Sequence, residues 1–120
     1  MPEVNIELIR NICNSLPSVT EDIKWGNDLC FNIGRKMFCV ISLEIPIKVC
    51  IKVTEEEFDE LSARPGIIPA PYVARNKWVL VENVNIFDPV KWEFYIKQSY
   101  NLVKVKLPRK KVGELGELNG

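Results

Sequence analysis

Residues 29–53 read LCFNIGRKMFCVISLEIPIKVCIKV, and apolar and polar side chains alternate through much of this stretch. Over residues 29–33 and 47–53 the period is two, which is typical of β-strands because successive side chains point to opposite faces of a sheet. Gly34 and Arg35 read as a tight turn between two such runs. The clean alternation predicts an antiparallel sheet with one packed face and one wet face.

Outward from this stretch, the same pattern predicts five strands in all, over residues 20–25, 29–33, 36–43, 47–53 and 77–82. Helical spacing of apolar residues and N-capping side chains predict three helices, over residues 3–16, 54–62 and 88–107. The expected N-caps are Asn5, Thr54 in a capping box with Glu57, and Asp88 before Pro89. Between the last two strands we expect an ordered, proline-rich loop over residues 65–76, with buried Ile67, Ile68, Tyr72 and Val73.

These elements predict an α+β fold in which an antiparallel sheet of about five strands is packed on one face by the N- and C-terminal helices. The 120 residues suit one domain rather than two. We expect that domain to span residues 1–111, followed by a flexible C-terminal tail over residues 112–120.

Charge and hydropathy limit the classes of partner. Lys and Arg number 16, as do Asp and Glu, so the formal net charge is zero. Nucleic-acid binding through overall charge is therefore not expected, although a local basic patch is compatible with this balance. Near-zero charge weakens repulsion between copies, so we expect a monomer or a weak homodimer. No apolar run approaches the roughly 20 residues that cross a bilayer, and no signal peptide follows Met1, which favours a cytoplasmic protein without a membrane partner.

The residue types needed for catalysis are scarce. The chain has no histidine, and none of its four cysteines, Cys13, Cys30, Cys39 and Cys50, forms a C-x-x-C pair. We therefore predict no metal site, no cofactor and reduced thiols that pack as small apolar groups. Motifs for a nucleophilic serine, a phosphate loop or a dinucleotide are absent, so an enzyme is not expected. Cys50, which shares a strand face with Lys48 and Lys52, has a reactive interpretation beside the structural one.

Basic side chains stand out because several lie at predicted turns or beside aromatic residues. Such groups can reach phosphates, and neighbouring aromatic rings can stack on bases. The candidate nucleic-acid-binding residues are Lys24, Arg35, Lys36, Arg75 and Lys77. The structural alternative is that hairpin tips are polar in any case and that Trp25 and Trp78 belong to the core.

Two distinctive stretches carry a family resemblance: TEDIKWGNDLCF over residues 20–31 and RPGIIPAPYVARNKWV over residues 64–79. A hairpin from Gly34 to Phe38 lies between them, and a helix containing Ser99 and Tyr100 follows. In these features the chain resembles the MmcQ/YjbR family from about residue 6 to residue 109.

The resemblance implies a CyaY/frataxin-like α+β fold in a double-wing arrangement, from which DNA binding has been proposed. The wings would be the hairpins of residues 24–38 and the loop of residues 65–78. Frataxins bind iron on an acidic ridge, but here the first helix offers only Glu3 and Glu7, balanced by Arg10. The resemblance therefore does not lead us to expect bound iron.

Two functional hypotheses follow. The first is a non-enzymatic DNA- or nucleic-acid-binding protein that uses the basic residues named above. The alternative is a small-molecule-binding or protein-interaction module, with an aromatic pocket under the proline-rich loop formed by Trp25, Tyr72 and Trp78.

Overall fold

The computed structural model describes residues 4–71 and 76–107. Its helices are α1 (Ile6–Asn14), α2 (Glu55–Ser62) and α3 (Pro89–Lys104), with a short 3-10 helix over Val84–Ile86. Its strands are β1 (Val19–Lys24), β2 (Asp28–Ile33), β3 (Lys36–Ser42), β4 (Lys48–Lys52), β5 (Ile67–Pro69) and β6 (Trp78–Val81). The strands form one antiparallel sheet in the order β1-β2-β3-β4-β6-β5. The predicted α+β class is confirmed.

The sheet has six strands where the sequence predicted about five. The additional strand, β5, lies inside the predicted proline-rich loop and pairs with β6 at the edge of the sheet. Three residues are too few to show a period of two, and Pro69 argues against a strand except at an edge. The expectation that Ile68 is buried is wrong, since Ile67 is buried while Ile68 is 40% exposed. The other two loop residues predicted to be buried, Tyr72 and Val73, lie outside the described residues.

The predicted capping groups are present at all three helices. The Asn5 side chain accepts a hydrogen bond from the Leu8 amide at 3.0 Å, and the Asp88 side chain accepts from the Lys91 amide at 2.8 Å. At α2 the Thr54 hydroxyl accepts from the Glu57 amide, and the Glu57 carboxylate accepts from the Thr54 amide. Helix α1 is shorter than predicted because Asn5 itself is the N-cap.

Helices α1 and α3 cover one face of the sheet. The largest buried side chains there include Trp92, Phe31 and Phe38. Phe38 belongs to a bulge: Phe31 pairs with Cys39 and Asn32 pairs with Met37, so Phe38 has no partner on β2. The extra residue lets the Phe38 ring lie on the helical side, where it meets the Tyr100 ring edge-on at 5.4 Å.

The opposite face of the sheet is less wet than the alternation predicted. Cys30 is fully buried and Trp78 is 8% exposed, while Val40 and Cys50 are half-buried. Alternation and strand pairing place Cys30, Val40 and Cys50 in one row, away from the row of Phe31, Cys39 and Ile51. Of the two depressions described next, one lies on this face and the other extends from it to the C-terminal end of α3.

Candidate functional site

One depression is a cleft of about 560 Å³ that is rich in positive charge. Among the described residues that line it, five are cationic and none is acidic. We call it the cationic cleft. The residues that line it are Lys24, Arg35, Lys36, Met37, Lys52, Asn76, Trp78, Val103 and Lys106.

The basic residues of the cationic cleft come from separate parts of the chain. Lys24 is the last residue of β1, Arg35 lies in the turn between β2 and β3, and Lys36 begins β3. Lys52 ends β4 and pairs with Trp78 on β6, and Lys106 follows the end of α3. The strand register places Lys24 and Lys36 at opposite ends of their ladders, yet both line the same cleft. The cleft is therefore a product of the tertiary fold.

Lys52 shows how crowded the positive charge is. Partial burial lowers the pKa of its ammonium group, and the nearby charges of Lys106 and Lys36 lower that pKa further. Its Nζ atom donates a hydrogen bond of 2.6 Å to the backbone carbonyl of Asn76. No carboxylate contributes to this shift, so an anion entering the cleft would relieve like-charge repulsion as well as gain attraction.

The cations of the cleft are not neutralised by carboxylates in the described part of the chain. Ion pairs within 4.0 Å there join Arg10 to Glu7 and Glu21, and Lys97 to Glu93. Neither Arg10 nor Lys97 lines the cationic cleft. The positive potential of the cleft is therefore available to a ligand.

A second depression, of about 540 Å³, is mostly apolar, and we call it the apolar pocket. Its lining residues are Trp25, Asp28, Met37, Val40, Cys50, Ala70, Pro71 and Trp78. Met37 and Trp78 line both this pocket and the cationic cleft, so the two depressions share a wall. Among the described lining residues, Asp28 is the one that carries a charge.

Trp25 has an unusual conformation for its size. The side chain is 72% exposed, and the backbone has a φ of 53°, followed by Gly26 at 85°. A left-handed backbone at a residue other than glycine costs roughly 1–2 kcal/mol. The expectation that Trp25 belongs to the core is therefore wrong, while Trp78 is buried as that interpretation requires.

The structure brings together part of the set of basic residues singled out from the sequence. Lys24, Arg35 and Lys36 line the cationic cleft, but Lys77 does not. The Lys77 ammonium group lies 5.0 Å from the centre of the Phe58 ring on α2. Lys77 precedes β6 with a left-handed backbone, φ 65°, and its side chain lies against α2 instead of in the cleft. Arg75 lies outside the described residues.

Two of the three aromatic residues proposed for a pocket, Trp25 and Trp78, do line the apolar pocket. Tyr72 lies outside the described residues. The proline-rich segment contributes Ala70 and Pro71 to the wall. The pocket therefore lies beside this segment, and its remaining wall comes from the sheet.

Lys52 and Lys106 are cleft residues that sequence reasoning missed. Lys52 was assigned by alternation to the same face as Cys50, but nothing in the sequence showed that β4 lies beside β6 and its Trp78. In the sequence Lys106 has a simpler explanation, because a positive charge near the C-terminus of a helix suits the helix dipole. The pairing of β4 with β6 and the packing of α3 on the sheet bring Lys52 and Lys106 close to Lys36.

The thiols on this face are not activated. Burial raises the pKa of Cys50 to about 12 and that of Cys30 to about 11. Lys48 and Lys52 do not lower the pKa of Cys50, which contradicts the reactive interpretation of this thiol. Across residues 4–71 and 76–107, no group of three or more Cys, Asp or Glu side chains is arranged to hold a metal ion. None of the described helices is both long enough and apolar enough to span a membrane.

An antiparallel sheet with helices on one face, and a cationic cleft that reaches from the sheet to the C-terminal end of α3, defines a small α+β domain with a ligand-sized surface site. The YjbR family model matches residues 14–102, and the chain belongs to this family. No curated protein matched the sequence.

Two solved structures share this fold. A Deinococcus radiodurans protein with a DUF419 domain is 25% identical, with a TM-score of 0.84 over 97% of this chain and 91% of its own. A Pseudomonas syringae protein is 18% identical, with a TM-score of 0.69 over 82% of this chain and 98% of its own. The first of these belongs to the same family, and the second supports the fold alone.

Proposed function

We propose that this protein is a non-enzymatic nucleic-acid-binding protein whose cationic cleft holds the phosphate backbone, with DNA as the first candidate. The observation that carries the proposal is the convergence of five cationic side chains, with no carboxylate among the described residues that line the cleft. Lys and Arg side chains supply most of the affinity of proteins for phosphate chains, because binding them releases condensed counterions.

The zero net charge of the chain is compatible with this proposal because like charges cluster locally. Acidic residues concentrate on α2, where Glu55, Glu56 and Asp59 line a depression of their own. The cationic cleft contains none of them. The local potential, rather than the sum over the molecule, governs how a charged ligand is attracted and oriented.

A salt titration of DNA binding tests the proposal. Fluorescence anisotropy of a labelled duplex is measured with the wild-type protein and with Lys36→Ala between about 50 mM and about 200 mM salt. We expect log Kd to rise linearly with log salt concentration, and the magnitude of the slope to fall by about 1 in the variant, because one phosphate contact is lost.

Lys91→Ala is the matched control, since it changes the net charge equally at an exposed position on α3 outside the cleft. It should retain the wild-type slope and affinity. Absence of binding at low salt contradicts the proposal, as does equal weakening by Lys36→Ala and Lys91→Ala.

A small-molecule-binding module is the second candidate, and the apolar pocket is the observation that favours it. The pocket volume of about 540 Å³ falls within the roughly 300–1,000 Å³ typical of ligand sites. The two candidates differ in how affinity depends on ligand length. A nucleic-acid-binding protein binds longer strands more tightly because more phosphates are contacted, whereas a site for one small molecule gains no affinity from a longer strand.

The protonated state of the thiols supports a binding role rather than catalysis. Their unpaired state supports a cytoplasmic location. Burial keeps Cys30 and Cys50 protonated at neutral pH, so neither offers a ready nucleophile. All four cysteines are free. Unpaired thiols are the usual state in a reducing compartment.

A further inference from the structure

We infer that the apolar pocket accepts an unstacked base, so that the protein binds single-stranded nucleic acid more tightly than duplex. This inference rests on the proposed function and names the form of nucleic acid that the site takes. It depends on the geometry of the two depressions, on the exposure of Trp25 and on the sign of the charge in each depression.

The shared wall of the two depressions matches the connectivity of a nucleotide. Met37 and Trp78 contact both the cationic cleft and the apolar pocket. In a nucleic-acid strand each base is joined through one sugar to its phosphate. A phosphate held by the cations therefore places its own base beside this wall, within reach of the apolar pocket.

The two depressions are chemically complementary to the two parts of a nucleotide. The cleft offers five cations to the phosphate, and the pocket offers Met37, Val40 and the two tryptophans to the flat face of the base. Aromatic side chains bind bases by stacking with little regard to sequence. A charged cleft and an apolar pocket thus lie on the two sides of one wall, as binding of a nucleotide would require.

Trp25 is the side chain best placed to stack on an entering base. It lines the apolar pocket, yet it is 72% exposed and its backbone is left-handed. Because the Trp25 side chain is exposed at a hairpin tip, it contributes little buried apolar area to the stability of the core. Its large apolar face becomes covered when a base occupies the pocket.

Duplex DNA cannot supply a base to the pocket without opening. Each base in a duplex is paired and stacked, so extruding one costs the free energy of breaking those contacts. The bases of a single strand are unpaired, and extruding one of them costs less. Both forms present phosphates to the cationic cleft. The pocket therefore adds affinity for the single strand alone.

Three probes of about 12 nucleotides test the inference by fluorescence anisotropy at one salt concentration: a mixed-sequence single strand, its duplex, and an abasic strand of equal length. The abasic strand keeps the phosphates and lacks the bases. We expect the single strand to bind about tenfold more tightly than the other two, the change that stacking of one base supplies.

Trp25→Ala should abolish this preference and leave binding of the duplex and the abasic strand unchanged. Alanine at a surface turn keeps the positive charge of the cleft intact. Phe94→Ala is the matched control, because Phe94 is 56% exposed on α3 and lies outside the pocket. It should retain the wild-type preference.

The outcomes separate this inference from the function on which it rests. Equal binding of all three probes, tighter binding of the duplex, or equal weakening of all probes by Trp25→Ala overturns base insertion and leaves phosphate binding in place. Absence of binding to every probe overturns both. A single-strand preference lost in Trp25→Ala and kept in Phe94→Ala supports the inference.

Discussion

At the scale of single residues, burial decides the chemistry of side chains that look reactive in the sequence. Cys50 lies between Lys48 and Lys52 on its strand, an arrangement that favours a thiolate when the ammonium groups are close. In the folded protein the thiol lies in the wall of the apolar pocket, and desolvation raises its pKa to about 12. Strand alternation identified the shared face, but only the packing around it reveals the dry environment.

The Cys50 thiol leads to a prediction for alkaline stability. In the unfolded chain it ionises near its ordinary pKa of 9.0, whereas in the folded protein it ionises only at about 12. Between these values the folded state binds more protons, so the free energy of unfolding falls as pH rises. In urea titrations over this range, Cys50→Ala should lose stability less steeply than the wild type. Parallel pH profiles for the two proteins would contradict the assigned burial of the thiol.

The sequence identified those cleft residues whose position follows from local structure. Lys24, Arg35 and Lys36 lie at hairpin ends, and hairpin ends can be recognised from alternation and glycine. Lys52 and Lys106 lie in the cleft because of contacts between distant elements, for which the sequence carries no local signal. The core interpretation of Trp25 rests on the usual burial of tryptophan, and its turn geometry makes it an exception, whereas the pocket interpretation agrees with its position.

At the scale of elements, Ser99 connects α3 to the sheet beside the cationic cleft. The pairing of β3 with β4 ends at Cys39 and Ile51, so a longer ladder would place Phe38 opposite Lys52. Instead the buried Ser99 hydroxyl accepts a hydrogen bond from the Lys52 amide at 2.9 Å and donates one to the Phe38 carbonyl. One side chain thus replaces a backbone pair where β3 bulges.

Removal of the Ser99 hydroxyl should therefore be costly. Ser99→Ala leaves a buried amide and a buried carbonyl without their partner, and each buried unsatisfied group costs about 1–3 kcal/mol. We expect urea unfolding to show that the free energy of unfolding of Ser99→Ala is lower than that of the wild type by an amount in that range or above it. Ser62→Ala is the control, because the Ser62 hydroxyl donates a hydrogen bond only to the Phe58 carbonyl one turn back in α2. Its free energy of unfolding should fall by less than about 1 kcal/mol. Equal losses in the two variants would contradict the bridging role.

The elements themselves were largely predictable, and the exceptions have local causes. Helix starts follow from the side chains of Asn5, Thr54 and Asp88, which act within one turn of chain. Strand β5 was missed because its three residues take their conformation from pairing with β6 rather than from their own pattern. The β3 bulge was missed for the same reason, since register depends on the partner strand.

At the scale of the whole molecule, a chain without net charge gathers like charges at particular places in the fold. Acidic side chains collect on α2, and basic side chains collect at the ends of β1, β3 and β4. The sheet order β1-β2-β3-β4-β6-β5 places β4 beside β6, so that Lys52 and Trp78 are neighbours across two strands. The fold, rather than the composition, creates the cationic cleft and places it beside the apolar pocket.

The central claim is that nucleic acid occupies the cationic cleft, and lysine footprinting tests it most directly. Lysines are acetylated with and without bound DNA, and the modification of each is measured by mass spectrometry. We predict protection of Lys24, Lys36, Lys52 and Lys106, and unchanged modification of Lys91 and Lys97 on α3. Protection confined to α3, or equal modification of every lysine in the two states, would contradict the claim.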